Sequence, residues 1–174
     1  MIRRWIGAAM FGLLCGLIAW QVVLAMIPQW LMALAVARIA GQAGAINAFA
    51  HAPLVTAKSR AIVRPSPDLL YSSCPFDISA APLLIDATPV AAPYWSLSIF
   101  DAQTNAVFVR NDRAGPNPVR VAVVAPGQTA PAGYAPVRVK GARGIALIRI
   151  LIDRSQPITA IDAARRTARC RLAG

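Results

Sequence analysis

The chain reads as a mainly β protein, an antiparallel sandwich or barrel-like sheet, with an N-terminal transmembrane helix and flanking helices. Three observations carry that reading. Residues 5–27 hold no charged side chain, and only Gln21 among them is strongly polar. From residue 53 onward proline becomes frequent and short apolar runs alternate with turns, the punctuation of short strands rather than of helices. Residues 94–100 alternate, with Trp95, Leu97 and Ile99 to one side and Tyr94, Ser96, Ser98 and Phe100 to the other, the period-two signature of a half-buried strand. Composition agrees: the chain is 57% hydrophobic and 14% charged, too apolar for an ordinary soluble domain, where roughly 25% of residues are charged.

As a helix, residues 5–27 reach about 35 Å, enough to cross a hydrocarbon core of about 30 Å. Arg3 and Arg4 precede the run, and the positive-inside rule then puts the N-terminus in the cytoplasm and the rest of the chain outside. A bacterial inner-membrane protein with a periplasmic C-terminal domain is expected. The run exceeds the roughly 7–15-residue apolar core of a signal peptide, and no small-x-small cleavage site ends it, so residues 1–28 are expected to be an uncleaved anchor. Ala8, Gly12 and Gly16 recur every four residues and leave a smooth stripe where a second helix, including that of another copy, can approach. Pro28 either starts a second helix or kinks the first. Residues 29–52 read as an amphipathic connecting helix, with Arg38 and Gln42 on one face and Ile39, Ala43, Ile46 and Ala50 on the other. Arg38 in its middle disfavours a second span. His51, the single histidine, is expected to be a structural residue at the end of that helix.

Residues 53–174 form the exported β-rich domain. Strands are expected over 61–64, before the Pro-Ser-Pro of 65–67, and over 69–73 and 82–85. The hairpin of 94–113 follows, with Asp101 to open its turn and Asn105 suited to the left-handed backbone there. After a Gly/Pro loop at 114–118, Val119, Val121 and Val123 alternate with Arg120 and Ala122, as in a half-exposed strand. Another short strand covers 134–139. Residues 145–152 are apolar except for Arg149, the pattern of a central strand covered on both faces. Arg149 shares a side with Leu147 and Leu151 and is expected to pair with an aspartate, because burying a lone guanidinium is prohibitive; binding an anionic ligand is its functional alternative. Residues 155–171 read as a terminal helix capped by Ser155 or Thr159. Its Arg165, Arg166, Arg169 and Arg171 suit the negative end of the helix dipole and, if that end faces the membrane, anionic headgroups.

Cys74 and Cys170 are the two cysteines outside the anchor and form a candidate disulfide in an exported domain. With one His and three Cys, and neither CxxC nor HExxH, no metal site or cofactor is expected. Eighteen Lys and Arg stand against seven acids, all Asp, for a net charge of +11. No basic run is interleaved with aromatics, so nucleic acid is not an expected partner. No nucleophile elbow, phosphate-cradling loop or dinucleotide fingerprint appears. The best polar constellation is Asp68, Tyr71 and Ser72 with Asp101, Asn105, Asn111, Asp112, Arg113 and Arg149. It supports a domain that binds a partner protein or small ligand, the alternative being a hydrolase-like enzyme with acid–base work around Asp68, Tyr71 and the 111–113 cluster.

Three segments together resemble a known family. Val63-Arg-Pro-Ser-Pro-Asp-Leu-Leu-Tyr-Ser72 is similar to the Asn/Ser-Pro-Asp-Thr-Leu-Tyr-Ser block of the domain of unknown function 1254 (DUF1254). Asp77-Ile78 and Ala81-Pro82 follow the family's Asp-Leu and Gly-Pro step, and residues 94–112 its Tyr-Trp-Ser-x-x-x-Phe-Asp…Asn…Asn-Asp block. Residues 144–152 resemble its terminal Arg-containing strand. Leu69 stands where Thr is common and Ala81 where Gly is common. The resemblance implies a β-rich fold usually found beside, or fused to, a second domain (DUF1214). Short anchored members look like the separated first half, so a membrane-anchored companion carrying a DUF1214-like domain is the implied partner. The resemblance implies no reaction.

Overall fold

The computed structural model describes residues 2–56, 65–153 and 157–174. The expected strand at 61–64, residues 63 and 64 of the family-like block and the Ser155 cap lie outside them. Among the described residues, one helix, α1 (Ile2–Ala43), precedes nine strands, and it is long and apolar enough to cross a membrane. Five strands form sheet A: β1 (Ala50–His51), β2 (Leu69–Asp77), β4 (Trp95–Phe100), β5 (Ala106–Asn111) and β8 (Arg143–Leu151), in the order β1-β2-β8-β4-β5. Four form sheet B: β3 (Leu83–Ala87), β6 (Val119–Val124), β7 (Ala135–Arg138) and β9 (Arg169–Leu172), in the order β7-β6-β3-β9. All pairings are antiparallel except β6–β7. A short helix, α2 (Ile158–Arg165), joins β8 to β9.

The core lies between the two sheets. Sheet A contributes Leu70, Cys74, Phe76, Trp95, Leu97, Ile99, Ala146, Ile148 and Ile150, and sheet B contributes Leu83, Ile85, Val119, Val121, Val123 and Cys170, all buried. Each set keeps the two-residue period, so one face of every strand feeds one core. Cys74 of β2 and Cys170 of β9 are bonded across the core, with their Cα atoms 6.6 Å apart. Strand β8 sits between β2 and β4, as its apolar sequence requires. Pro75 is tolerated in β2 because its missing N–H would point away from β8; its carbonyl, on that same side, accepts from Asn47 N at 2.8 Å.

The helical parts differ from the sequence reading. No boundary falls at Pro28, which lies inside α1; a proline is tolerated in an apolar span where a soluble helix would break. The connecting helix expected over 29–52 is instead the last part of α1, which stops at Ala43 before Gly44 at φ +68°. Its buried face is Met32, Ala35, Val36 and Ile39, packed on Ile145 and Phe100 on the outer face of sheet A. Ile46 is exposed, and Ala50 and His51 belong to a strand. The terminal helix expected over 155–171 ends at Arg165, and Arg169–Leu172 pairs with β3 as β9.

Two strands expected to be half-exposed are largely covered on both faces, Arg120 of β6 remaining exposed. In β4, Ser96 and Ser98 are 0% and 1% exposed, sheltered in mid-sheet between β8 and β5. In β6, Ala122 and Val124 are buried under Ala130, Tyr134 and Ala173. In the hairpin turn, buried Asp101 accepts from Gln103 N, Asn105 N and Asn105 Nδ2 at 2.9, 2.9 and 3.1 Å. The left-handed residue is Thr104, at φ 65°, rather than Asn105.

Candidate functional site

Antiparallel register lines up Tyr71 of β2, Arg149 of β8, Ser96 of β4 and Asn111 of β5 in one row across sheet A. Directly opposed residues share a face, so all four are set on the side away from the core. That is the side on which α1 packs at Ile145, four residues along β8 from Arg149, about 13 Å away. The row is therefore flanked by the helix but not beneath its contact.

Arg149 is half-buried and meets no aspartate. Its one hydrogen bond runs from Nη2 to Ser98 Oγ at 3.4 Å, and no carboxylate lies within 4.0 Å of it among the described residues. The expected Arg149–Asp pair is thus replaced by a hydroxyl contact. Arg149 Nε, Ser96 Oγ and Asp112 Oδ1 are all buried with no hydrogen-bond partner. Buried polar atoms are normally paired, so the row lacks acceptors for a guanidinium and a partner for a serine. Ser96 and Ser98 were not among the sequence-derived site residues. The signal for them is Ser-x-Ser set between apolar residues in a strand that pairs with an Arg-bearing one.

The other sequence-derived residues lie apart from this row. Ser72 faces the core side of β2, 1% exposed, with Oγ 2.9 Å from His51 Nδ1. Asp68 is exposed at the start of β2, its N–H directed to Ser66 Oγ. Tyr71, itself in the row, accepts with its Oη from Ser66 N at 3.0 Å. Asp112 and Arg113 lie in a short 3-10 turn that continues β5, Arg113 exposed. Tyr71 and Asn111 are three strand spacings apart, about 14 Å, so an acid–base pair from these two blocks does not form through the backbone. On α1, Ala8, Gly12 and Gly16 are exposed, and nothing lies within 4 Å of a Cβ built at Gly12 or Gly16.

Several charged groups elsewhere are paired. Arg165 is 3% exposed and donates to Tyr71 O, Ala52 O and Asp162 Oδ1 at 2.7, 2.8 and 2.7 Å. It closes the carbonyl ends of two segments onto α2 rather than facing headgroups. Hydrogen bonds from Arg166, then from Arg165, hold the Asp162 carboxyl below its usual value against the opposing effect of burial. Burial, then the charges of Arg165 and Arg166, lower the pKa of His51, which sits in β1 and not at a helix end. On sheet B, Asp86 takes hydrogen bonds from Tyr134 Oη, Arg120 and Arg171. Burial alone would raise its pKa, but Arg171, Tyr134 and Arg120 together bring it below the usual value. Arg120 also stacks over the Tyr134 ring at 4.7 Å. No group of three or more metal-ligating side chains occurs among the described residues.

The architecture is a two-sheet β domain behind one long apolar helix. The chain belongs to the DUF1254 family, described as a protein of unknown function, whose pattern matches residues 46–172. It is similar in fold to the crystal structure of the VPA0106 protein from Vibrio parahaemolyticus, with a TM-score of 0.61 and 15% identity, over 83% of this chain and 37% of that one. A crystal structure of an uncharacterized protein from Burkholderia cenocepacia matches at TM-score 0.49 and 16% identity, over 75% of this chain and 36% of that one, too weakly to carry an argument. The chain thus spans little more than a third of the solved proteins it matches. No curated protein matches it.

Proposed function

We propose that the chain is an envelope protein anchored by α1 in the bacterial inner membrane, N-terminus inside, whose periplasmic β domain binds a partner or small ligand through the Arg149 row. The observation that carries this is Arg149 itself: a half-buried guanidinium with one long hydrogen bond, beside an unpaired buried serine. Such a face takes an anionic group, most simply a carboxylate, which matches a guanidinium in two-pronged fashion. The Cys74–Cys170 bond supports an oxidising compartment. Arg3 and Arg4 ahead of the apolar run support the orientation.

The partner is a membrane-anchored companion with a DUF1214-like domain. Support comes from the family resemblance, which implies a β-rich domain usually found beside, or fused to, a DUF1214 domain. Self-association through Ala8, Gly12 and Gly16 is the further contact this reading allows. Detergent pull-down with the full chain tests it. The companion should be recovered with the native chain, lost with Arg149→Gln, and retained with Arg113→Gln, which alters an exposed arginine outside the row. Recovery of monomer alone, together with a hydrolase activity abolished in Asp68→Ala, replaces this reading by the enzymatic one.

A further inference from the structure

The bare apolar surface of α1 continues past the point where a hydrocarbon core would end. Residues 5–27 already cover about 35 Å of helix. Beyond them Trp30, Leu31 and Leu34 remain 63%, 56% and 49% exposed. On the same turns Met32 and Val36 are buried to 6% and 4% against Ile145 and Phe100. The helix is therefore in contact with sheet A on one side while still presenting large apolar side chains on the other. No described residue covers that second side.

Length says what does. From Trp5 to Leu34 the helix rises about 44 Å, more than the hydrocarbon core and close to the roughly 40–45 Å of a bilayer with its headgroup layers. Trp5 and Trp30 lie about 38 Å apart, at the two depths where indole rings concentrate. Arg38, the next charged residue after Arg4, comes one turn beyond Leu34.

We propose that the turn carrying Trp30, Leu31 and Leu34 lies in the lipid headgroup layer, so that the β domain is docked on the bilayer surface through the Ile145–Phe100 end of sheet A. The occupant of this helix face is phospholipid. This rests on the anchoring proposed above. The domain is then seated on the membrane by a rigid helix instead of held away from it on a linker. The Arg149 row, about 13 Å along β8 from the helix contact, stays close to the surface, within reach of a membrane-held partner.

Quenching by depth-labelled lipids tests this on the full chain, reconstituted in phosphatidylcholine–phosphatidylglycerol vesicles. Trp5→Phe/Trp20→Phe leaves Trp30 and the core residue Trp95, and the same protein with Trp30→Phe supplies the Trp95 background. Trp30 emission should be lost more strongly to a label near the headgroups than to one at the acyl-chain end. Stronger loss with the deep label overturns the proposal. So does no loss with either label, which means that water, a second copy or a companion helix covers the turn. A chain that washes off the vesicles at alkaline pH overturns the anchoring, and this inference with it.

Discussion

Arg165 shows what one side chain holds together. Its guanidinium is nearly inaccessible and joins α2 to the carbonyls of Tyr71 and Ala52, 94 and 113 residues away in sequence. Arg165→Met removes the donors and leaves buried acceptors, at an expected cost of about 3 kcal/mol. A denaturant titration with unchanged slope checks it. Besides the neighbouring Asp162, its partners are distant backbone atoms, which carry no sequence signature, so this role was illegible beforehand. Gly144 is a second sensitive position: a Cβ there would strike the Phe100 carbonyl oxygen and lie 2.5 Å from Phe76 Cζ. Backbone cannot yield cheaply, so Gly144→Ala should destabilise by about 3 kcal/mol, read from the same titration. His51 gives a pH dependence. Its pKa in the folded chain lies below 6.5, because burial and then Arg165 and Arg166 disfavour the imidazolium. Below pH 6.5 the unfolded chain takes up the proton more readily, so this contribution is complete above 6.5 and declines as pH falls through the lowered value. Thermal melts from pH 8 to 5 should show that decline in the native chain and a flatter profile in His51→Gln.

At the scale of elements, legibility followed periodicity and failed where cover is non-local. Alternation located β4 and β6, the polar turn after β4 located β5 as its return strand, and the apolar run interrupted only by Arg149 located β8 as central. Alternation shows that two faces differ, not that the polar one is open: Ser96 and Ser98 are buried by position in mid-sheet, and Ala122 by a loop that includes Ala130 and Tyr134. Register was also missing from the sequence. Tyr71, Asn111 and Arg149 were each singled out, but only pairing puts them in one row and adds Ser96. At the C-terminus, Arg-Cys-Arg-Leu has a strand's alternation, overridden in the sequence reading by four arginines that suited a helix end. The continuous α1 yields a prediction of its own. Met32→Ala should loosen the helix–sheet contact by about 2 kcal/mol, seen as a lower melting temperature in detergent and faster proteolysis just after Ala43.

For the whole molecule the decisive link is the bond between the sheets. Cys74 and Cys170 are 96 residues apart in sequence, and closing so long a loop restricts the unfolded chain by about 4.7 kcal/mol. Cys170→Ser and reduction of the native protein should shift the denaturation midpoint equally; the two differ only if serine also disturbs the packing of β9 on β3. The bond also joins both layers to the same stretch of chain that leads back to α1. Residues 74–170, which hold β3 to β8 entire, form a closed covalent ring joined to α1 through the stretch before Cys74. A protease that cuts once within residues 75–169 therefore sheds nothing: the fragments stay bonded, run as one band, and separate only when reductant is added. Releasing the domain from its anchor requires a cut before Cys74, in the short stretch between α1 and the ring.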